Sequence, residues 1–331
     1  MFISRQSARW KHVAGIAAVL IGATAIAPAA VAAYPDKPIK IVVPFAPGGG
    51  TDMVARGMGQ PMAEMLGQPV IIENKPGGGT LIGTDQVARS APDGYTLVMA
   101  TLAHVVNPSL HPKMPYSNDA FAGVMLVGRS PNVLVVRAES PYKSVKDVLD
   151  AARANPGKLT FASQGAGTSA HLAGELFKSL AKVDIVHIPY RGAGPAINDL
   201  MGGQVDIMFA TAASVGTSIE SGRLRPLAVT TAQRSPAPVL AKVPTIAESG
   251  VPGYVADSWY GLFAPAGTPP AVIAKLNAAA TRAVQTDAFR KRVENEGLVI
   301  SAGTPEDFDK YAKQEEERWR KVVKAAGITA E

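Results

Sequence analysis

Chemistry in this 331-residue sequence gathers where glycine runs are followed by hydroxyl side chains. The first run, Pro47-Gly48-Gly49-Gly50-Thr51-Asp52, follows Ile39, Ile41, Val42, Val43 and Phe45. That apolar, β-branched stretch reads as a buried strand. Met53, Val54, Met58 and Met62 then recur near helical spacing, with Thr51 or Asp52 as a cap. The N–H groups of Gly49 to Asp52 would leave a helix N-terminus unpaired, where the helix dipole favours an anion. The same glycines also suit a plain tight turn. Similar layouts recur at Gly77 to Thr80 and at Ser163-Gln164-Gly165-Ala166-Gly167-Thr168-Ser169. A carboxylate ligand is then expected to be held by backbone N–H groups and the hydroxyls of Thr51, Thr80, Ser163, Thr168 and Ser169. Asp52 would repel an anion, so its expected job is capping, or meeting a ligand's amino group through water.

Other chemistries fail on spacing. Counting from Gly48, the sixth position of a dinucleotide fingerprint is Met53 rather than glycine, and no Gly-Lys-Ser/Thr triplet completes a P-loop. His104, His111, His171 and His187 lack the paired spacing of a metal site. An exported serine hydrolase using Ser169 and a histidine such as His171 is the competing class. Against it, Gly-Thr-Ser-Ala-His lacks the second glycine of a nucleophile elbow, and adjacent residues on a helix point apart. Tyr190 and Trp259 either line a cleft or pack, Arg191 either pairs with a carboxylate or is solvated, and the four methionines from Met53 to Met65 read as core.

The elements that must position these loops alternate. Strands are expected at Val70–Ile72 and Thr96–Ala100, with a helix opened by Thr80 between them. Two apolar runs from Val124 to Arg137 are broken at Ser130-Pro131, where the chain is expected to cross into a second domain. There follow a helix over 144–154, a strand over 159–162, a helix over 169–180 and strands over 184–189, 205–210 and 227–230. A helix over 195–201 separates two of these strands. A strand over 259–264 returns to the first domain, and three amphipathic helices over 270–285, 287–296 and 305–324 cover its outside. The alternation predicts an α/β fold of two domains, each a mostly parallel sheet flanked by helices. Ligands of such sheets bind beyond the carboxyl ends of the strands. The domain limits are 1–33 for a leader, 34–131 plus 257–331 for domain 1, and 132–256 for domain 2.

Residues 1–33 carry Arg5, Arg9 and Lys11, then an uncharged apolar run, then small residues. That layout is a secretory signal peptide cut near residue 33. It accounts for three of the six net positive charges, leaving 6 − 3 = +3 on the mature chain. A balance this small, without a basic run, makes no case for nucleic acid. The chain has no cysteine, hence neither disulfides nor a thiol nucleophile.

Ordered stretches resemble one family over nearly the whole mature length. They are Tyr34 to Arg56, Glu73 to Gly79 with Ile82-Gly83, and Ala91 to Leu97. In the second half they are Ser163 to Phe177, Ile188 to Ala196, Leu200 to Asp206, Val243 to Gly250 and Gly261 to Pro269. The family is the solute receptors of tripartite tricarboxylate transporters, the Bug receptors. The resemblance implies a periplasmic Venus-flytrap protein, not an enzyme and without a cofactor or metal. It implies a monomer that captures a small carboxylate, a di- or tricarboxylate, an amino acid or an aromatic acid, and delivers it to membrane permease subunits. It places the carboxylate grip at Phe45 and Pro47 to Asp52, and at Ser163 to Ser169, including Gln164, Gly165 and Gly167. Thr101, Tyr190 and Thr211 complete the pocket. Leu81 and Gln164 depart from the small residues, Asn and second serine usual at those places, which bears on the distal end of the ligand. A ligand-sensing co-receptor for a signalling kinase would carry the same residues. Branched side chains at Gly49 or Gly167 are expected to block close backbone approach and abolish binding.

Overall fold

The computed structural model describes residues 34–294 and 297–329. The expected leader and residues 295–296 of the helix expected over 287–296 fall outside the described residues. The chain begins β1 (Ile39–Val43), α1 (Gly50–Leu66), β2 (Val70–Asn74), α2 (Leu81–Ala88), β3 (Thr96–Thr101), α3 (Leu102–Leu110) and β4 (Phe121–Arg137). It continues α4 (Val145–Ala154), β5 (Thr160–Ser163), α5 (Ser169–Ala181), β6 (Val186–Pro189), α6 (Ala193–Met201), β7 (Ile207–Thr211), α7 (Ala212–Glu220) and β8 (Leu224–Val229). It returns through β9 (Asp257–Pro265), α8 (Pro270–Gln285), α9 (Asp287–Glu294), β10 (Val299–Ile300) and α10 (Pro305–Ala326).

The strands join in the order β2-β1-β3-β9-β4-β7-β5-β6, with β8 and β10 also on β4. Each end of this sheet is a parallel trio, β2-β1-β3 and β6-β5-β7, as the alternation of strand and helix predicts. The middle is antiparallel, because β9 and β4 carry the chain back and forth between two lobes. The expected break at Ser130-Pro131 is a change of partner inside one unbroken strand. Phe121 to Pro131 pair with β9, and Asn132 to Val135 pair with β7. Proline has no N–H for a ladder, so it ends one set of pairings where the other begins.

A fully buried clasp sits at this change. The Asn132 side-chain amide donates to the Ala256 carbonyl (3.3 Å) and its Oδ1 accepts from the Ser169 hydroxyl (3.1 Å). Its backbone N–H donates to the Thr230 hydroxyl (2.9 Å), and the Thr230 N–H returns to its carbonyl (3.0 Å). Both segments that connect the lobes, and the start of α5, are therefore fixed on one residue.

Separate apolar layers support the loops. In the first lobe, Met58 and Met62 of α1 pack with Leu276 and Ala280 of α8 and with Ile41 of β1, all fully buried. Met65, expected in the core with them, is 51% exposed, since it faces away from that stripe. In the second lobe, Val133, Val135 and Met208 support α6 and α7. The helix α10 lays Phe308 and Trp319 over Trp259 and Phe263, so Trp259 packs and does not line the cleft. Two helices are absent from the sequence reading, α3 and α7. The first contains Pro108 and is apolar on nearly every face; the second is Ala-Ala-Ser-Val-Gly-Thr-Ser-Ile-Glu. Neither shows a one-sided periodic stripe or strong helix formers throughout.

Candidate functional site

The strand ends β1, β3, β5 and β7 deliver their following loops to the seam between the lobes. Three helix N-termini meet there. A Cβ built on Gly50, at the start of α1, would lie 3.0 Å from Thr211 Oγ1 and 2.9 Å from Ala213 Cβ at the start of α7. One on Gly49 would lie 3.5 Å from Ala193 Cβ at the start of α6. The unpaired N–H groups and the dipoles of all three helices favour negative charge at this seam. The sequence reading had α1 and the end of β7, and missed that α6 and α7 converge on them.

Beside these termini a cavity of about 190 Å³ lies between the lobes. Pro44, Phe45 and Gly77 to Thr80 wall it from the first lobe; Gln164 to Ala166, Thr168 and Pro189 to Arg191 wall it from the second. Of the expected site residues, Phe45, Thr80, Gln164, Gly165, Thr168 and Tyr190 line this cavity. Pro47 to Asp52, Ser163, Gly167, Ser169, Thr101 and Thr211 are not among its lining residues. Arg191 is the one charged residue in the wall. The lobes touch at its edges. The Ala46 N–H donates to the Arg191 carbonyl (3.3 Å). Gly79 approaches so closely that a Cβ there would lie 2.6 Å from the Ala166 carbonyl oxygen.

Asp52 does not cap α1 from the N-cap position, which is Gly49 and offers no side chain. It reaches back from the first turn instead, accepting from the Gly48 N–H (3.0 Å), Arg56 Nε (3.0 Å) and Asn74 Nδ2 (2.9 Å). Asn74 also donates to the Phe45 carbonyl (3.1 Å), so one buried carboxylate ties the loop to β2. Burial raises its pKa, but the bonds from Arg56, Gly48 and Asn74 outweigh that and hold it below the ordinary carboxylate value. The charge is spent inside the first lobe, which removes its repulsion from the seam.

In the second lobe the expected hydroxyl donors are engaged within the loop itself. Thr168 caps α5 and donates to the Gly165 carbonyl (2.7 Å). Ser163 bonds the Gly165 carbonyl (3.1 Å) and His187 Nε2 (2.7 Å), and accepts from the Gly165 N–H (3.1 Å). Ser169, the nucleophile of the hydrolase reading, donates to Asn132. His171 Nδ1 accepts from the Gly167 N–H (3.1 Å), and its ring stacks on His187 at 4.2 Å. These residues shape the loop, while Gln164, whose amide bonds Ser214 (3.2 Å), lines the cavity. Tyr190 donates to Asp199 (2.7 Å); burial first, then that carboxylate, pushes its phenol up to about 12. At Gly167, where φ is +76°, a Cβ would lie 2.6 Å from Asn107 Oδ1. A Cβ at Gly49 finds ordinary contact, whereas one at Gly50 would crowd α7. Asn107, fully buried on α3 and bonded to the Gly79 carbonyl and the Thr80 hydroxyl (both 3.1 Å), went unnoticed because its helix did.

The buried imidazoles predict an acid-sensitive fold. Burial lowers the pKa of His104 and His171 to about 4 and that of His187 to about 3, with Lys178 adding to the effect at His171, and His171 then Lys178 adding to it at His187. A depressed histidine is neutral when folded, so its contribution is intact above the unfolded value near 6.5 and is lost as pH falls toward 4. Each such group costs about 1.4 kcal/mol per pH unit inside that window. The melting temperature should therefore fall between pH 6.5 and 5, and His104→Phe should make the fall shallower. An identical slope in the variant would refute the assignment for His104.

A seam between two α/β lobes, ringed by helix N-termini and neutral donors, defines a solute-binding protein of the Venus-flytrap class. Residues 54–328 match the tripartite tricarboxylate transporter family receptor, and the chain belongs to that family. It is 38% identical over 307 residues to the protein BugT of Bordetella pertussis, covering 91% of this chain and 93% of BugT. Among solved structures, an R. palustris protein with adipate has 36% identity and a TM-score of 0.85, covering 89% of this chain and 99% of that one. MatC of Rhodopseudomonas palustris, with bound malate, has 35% identity and a TM-score of 0.83, covering 88% and 100%. The family consists of substrate-binding proteins rather than enzymes.

Proposed function

We propose that this chain is a periplasmic receptor that captures a small carboxylate between its lobes and delivers it to the permease of a tripartite transporter. The observation that carries the reading is the convergence of the α1, α6 and α7 N-termini from both lobes beside one shared cavity. Neither lobe alone supplies the full set, so a ligand that touches both favours the closed form by its differential contacts. The domains are 34–131 with 257–331, and 132–256, divided where β4 changes partner. Residues 1–33 are the export signal, and the receptor acts as a monomer. The site is Phe45, Pro47 to Asp52, Thr80, Thr101, Ser163 to Gly165, Gly167 to Ser169, Tyr190 and Thr211. Within it Asp52, Ser163, Thr168 and Ser169 hold the loops. Arg191 supplies the cavity wall's single charge and faces a second carboxylate, in keeping with the adipate and malate of the two relatives.

Calorimetric titration with matched pairs, succinate against butyrate and adipate against hexanoate, tests the reading. Saturable binding of at least one acid is expected, with dicarboxylates favoured over their monoacids. Arg191→Gln should weaken dicarboxylates by roughly tenfold, the worth of one charge-assisted bond, and leave monoacids nearly unchanged. Absence of heat for every acid, after denaturation and mass spectrometry have excluded a retained ligand, would sink the proposal.

A further inference from the structure

Outside the cleft, a second cavity of about 210 Å³ opens in the first lobe between α3, the start of β4, β9 and α10. Its floor is aromatic: the His104 ring lies 4.7 Å from Phe121, edge to face, and 4.7 Å from Phe263, stacked. Asp119, Asp309 and Glu316 line it against the single cation Lys313, an excess of two acidic groups (3 − 1). Two of its residues hold buried polar atoms without a hydrogen-bond partner, Asn118 Oδ1 and His104 Nδ1. His104 is only 4% exposed, and the desolvation that lowers its pKa to about 4 leaves the ring neutral at physiological pH. With its proton on Nε2, Nδ1 is an acceptor.

Every polar feature of this cavity except Lys313 thus asks for the same thing. Two orphaned acceptors and a surplus of carboxylates call for a cationic donor, and an aromatic floor favours a cation that is itself partly apolar. Among the described residues no group of three His, Cys, Asp or Glu side chains is arranged to hold a metal ion. We propose that this cavity binds the ammonium head of a small primary amine. Its N–H groups reach Asn118 Oδ1 and His104 Nδ1, and its charge is balanced by Glu316, whose Oε2 already accepts from Asn118 Nδ2 (3.2 Å). The short alkyl chain lies on the Phe121 and Phe263 rings. The site is distinct from the carboxylate cleft, so both can be filled at once.

Titration of the purified protein with n-propylammonium chloride at fixed ionic strength, followed by calorimetry, tests this. Saturable binding is expected, at least about tenfold tighter than for tetramethylammonium, which has the charge but no N–H donor. Glu316→Gln should weaken it by roughly tenfold, and Asp119→Asn, on the exposed rim, by a smaller factor that guards against a folding defect in the first variant. Gly79→Ala, which obstructs the cleft, should leave amine affinity unchanged. The proposal is overturned by a linear, unsaturable response, by equal affinity for tetramethylammonium, by unchanged affinity in both acidic-residue variants, or by loss of amine binding in Gly79→Ala.

Discussion

Gly79→Ala should lower carboxylate affinity by roughly ten- to more than a hundredfold while the protein stays folded. The residue sits at φ +60°, and a methyl group there would lie 2.6 Å from the Ala166 carbonyl oxygen on the opposite lobe. A backbone carbonyl cannot swing aside as a side-chain tip can, and forcing an extra carbon into a packed contact costs about 1–3 kcal/mol. That cost arises only when the lobes meet, so it subtracts from closure and therefore from binding. The left-handed backbone adds about 1–2 kcal/mol of strain in the open and closed forms alike. Gly78→Ala separates the two effects. It has nearly the same φ, +59°, but its Cβ meets only side-chain atoms at ordinary contact, Leu81 Cβ at 3.5 Å and Ile82 Cγ1 at 3.7 Å. Calorimetry should find the Gly78 variant within about threefold of the parent, by the same arithmetic. Equal losses in both would show that the contact of Gly79 with Ala166 is no part of the liganded state.

Asn132→Leu is the second large effect, this time on stability. The side chain is fully buried and both ends of its amide are used, one on the Ala256 carbonyl and the other on the Ser169 hydroxyl. Replacement strands two buried polar groups, each costing about 1–3 kcal/mol. The summed loss of about 2–6 kcal/mol should lower the melting temperature by roughly 3–10 °C. Asn132→Asp should be no better, because it sets a carboxylate oxygen against the Ala256 carbonyl where a donor stood. Ser169→Ala removes one bond and leaves the clasp to Ala256, so it should cost about 1–2 kcal/mol and leave carboxylate affinity nearly intact. A melting temperature unchanged in Asn132→Leu would mean that the two connections between the lobes are held by their backbone ladders alone.

Much of this architecture was legible in the chain. The β-branched run before Gly48, the hydroxyl at each glycine cluster and the spacing in α5, α8 and α10 reflect local rules, and the strands and helices stand close to where those rules put them. What escaped reading depends on contacts far apart in sequence. Whether Asp52 faces a ligand or an arginine is decided by Arg56 and Asn74, and Asn74 arrives on another strand. Ser163 and Ser169 look like free donors until His187 and Asn132 fold against them. The helices α3 and α7 were invisible because burial, not periodicity, stabilises them, and with α7 went the third helix terminus at the seam. At Pro131 the pairings of β4 change partner, but the strand is not broken there.

That undivided strand limits how the protein can be taken apart. A cut at residue 131 would not free two modules. The amino-terminal fragment would keep Phe121 to Pro131 without β9, and the other would keep β9 without β3 or that half of β4, so each would expose a raw sheet edge of the kind that recruits other chains. A split reporter built at the hinge is thus expected to aggregate. A fluorescent domain belongs instead at Gly222 or Gly253, surface turns where an added Cβ meets nothing within 4 Å. From either turn it would ride on the second lobe and register each stroke of the trap as a change in its distance from a dye on the first.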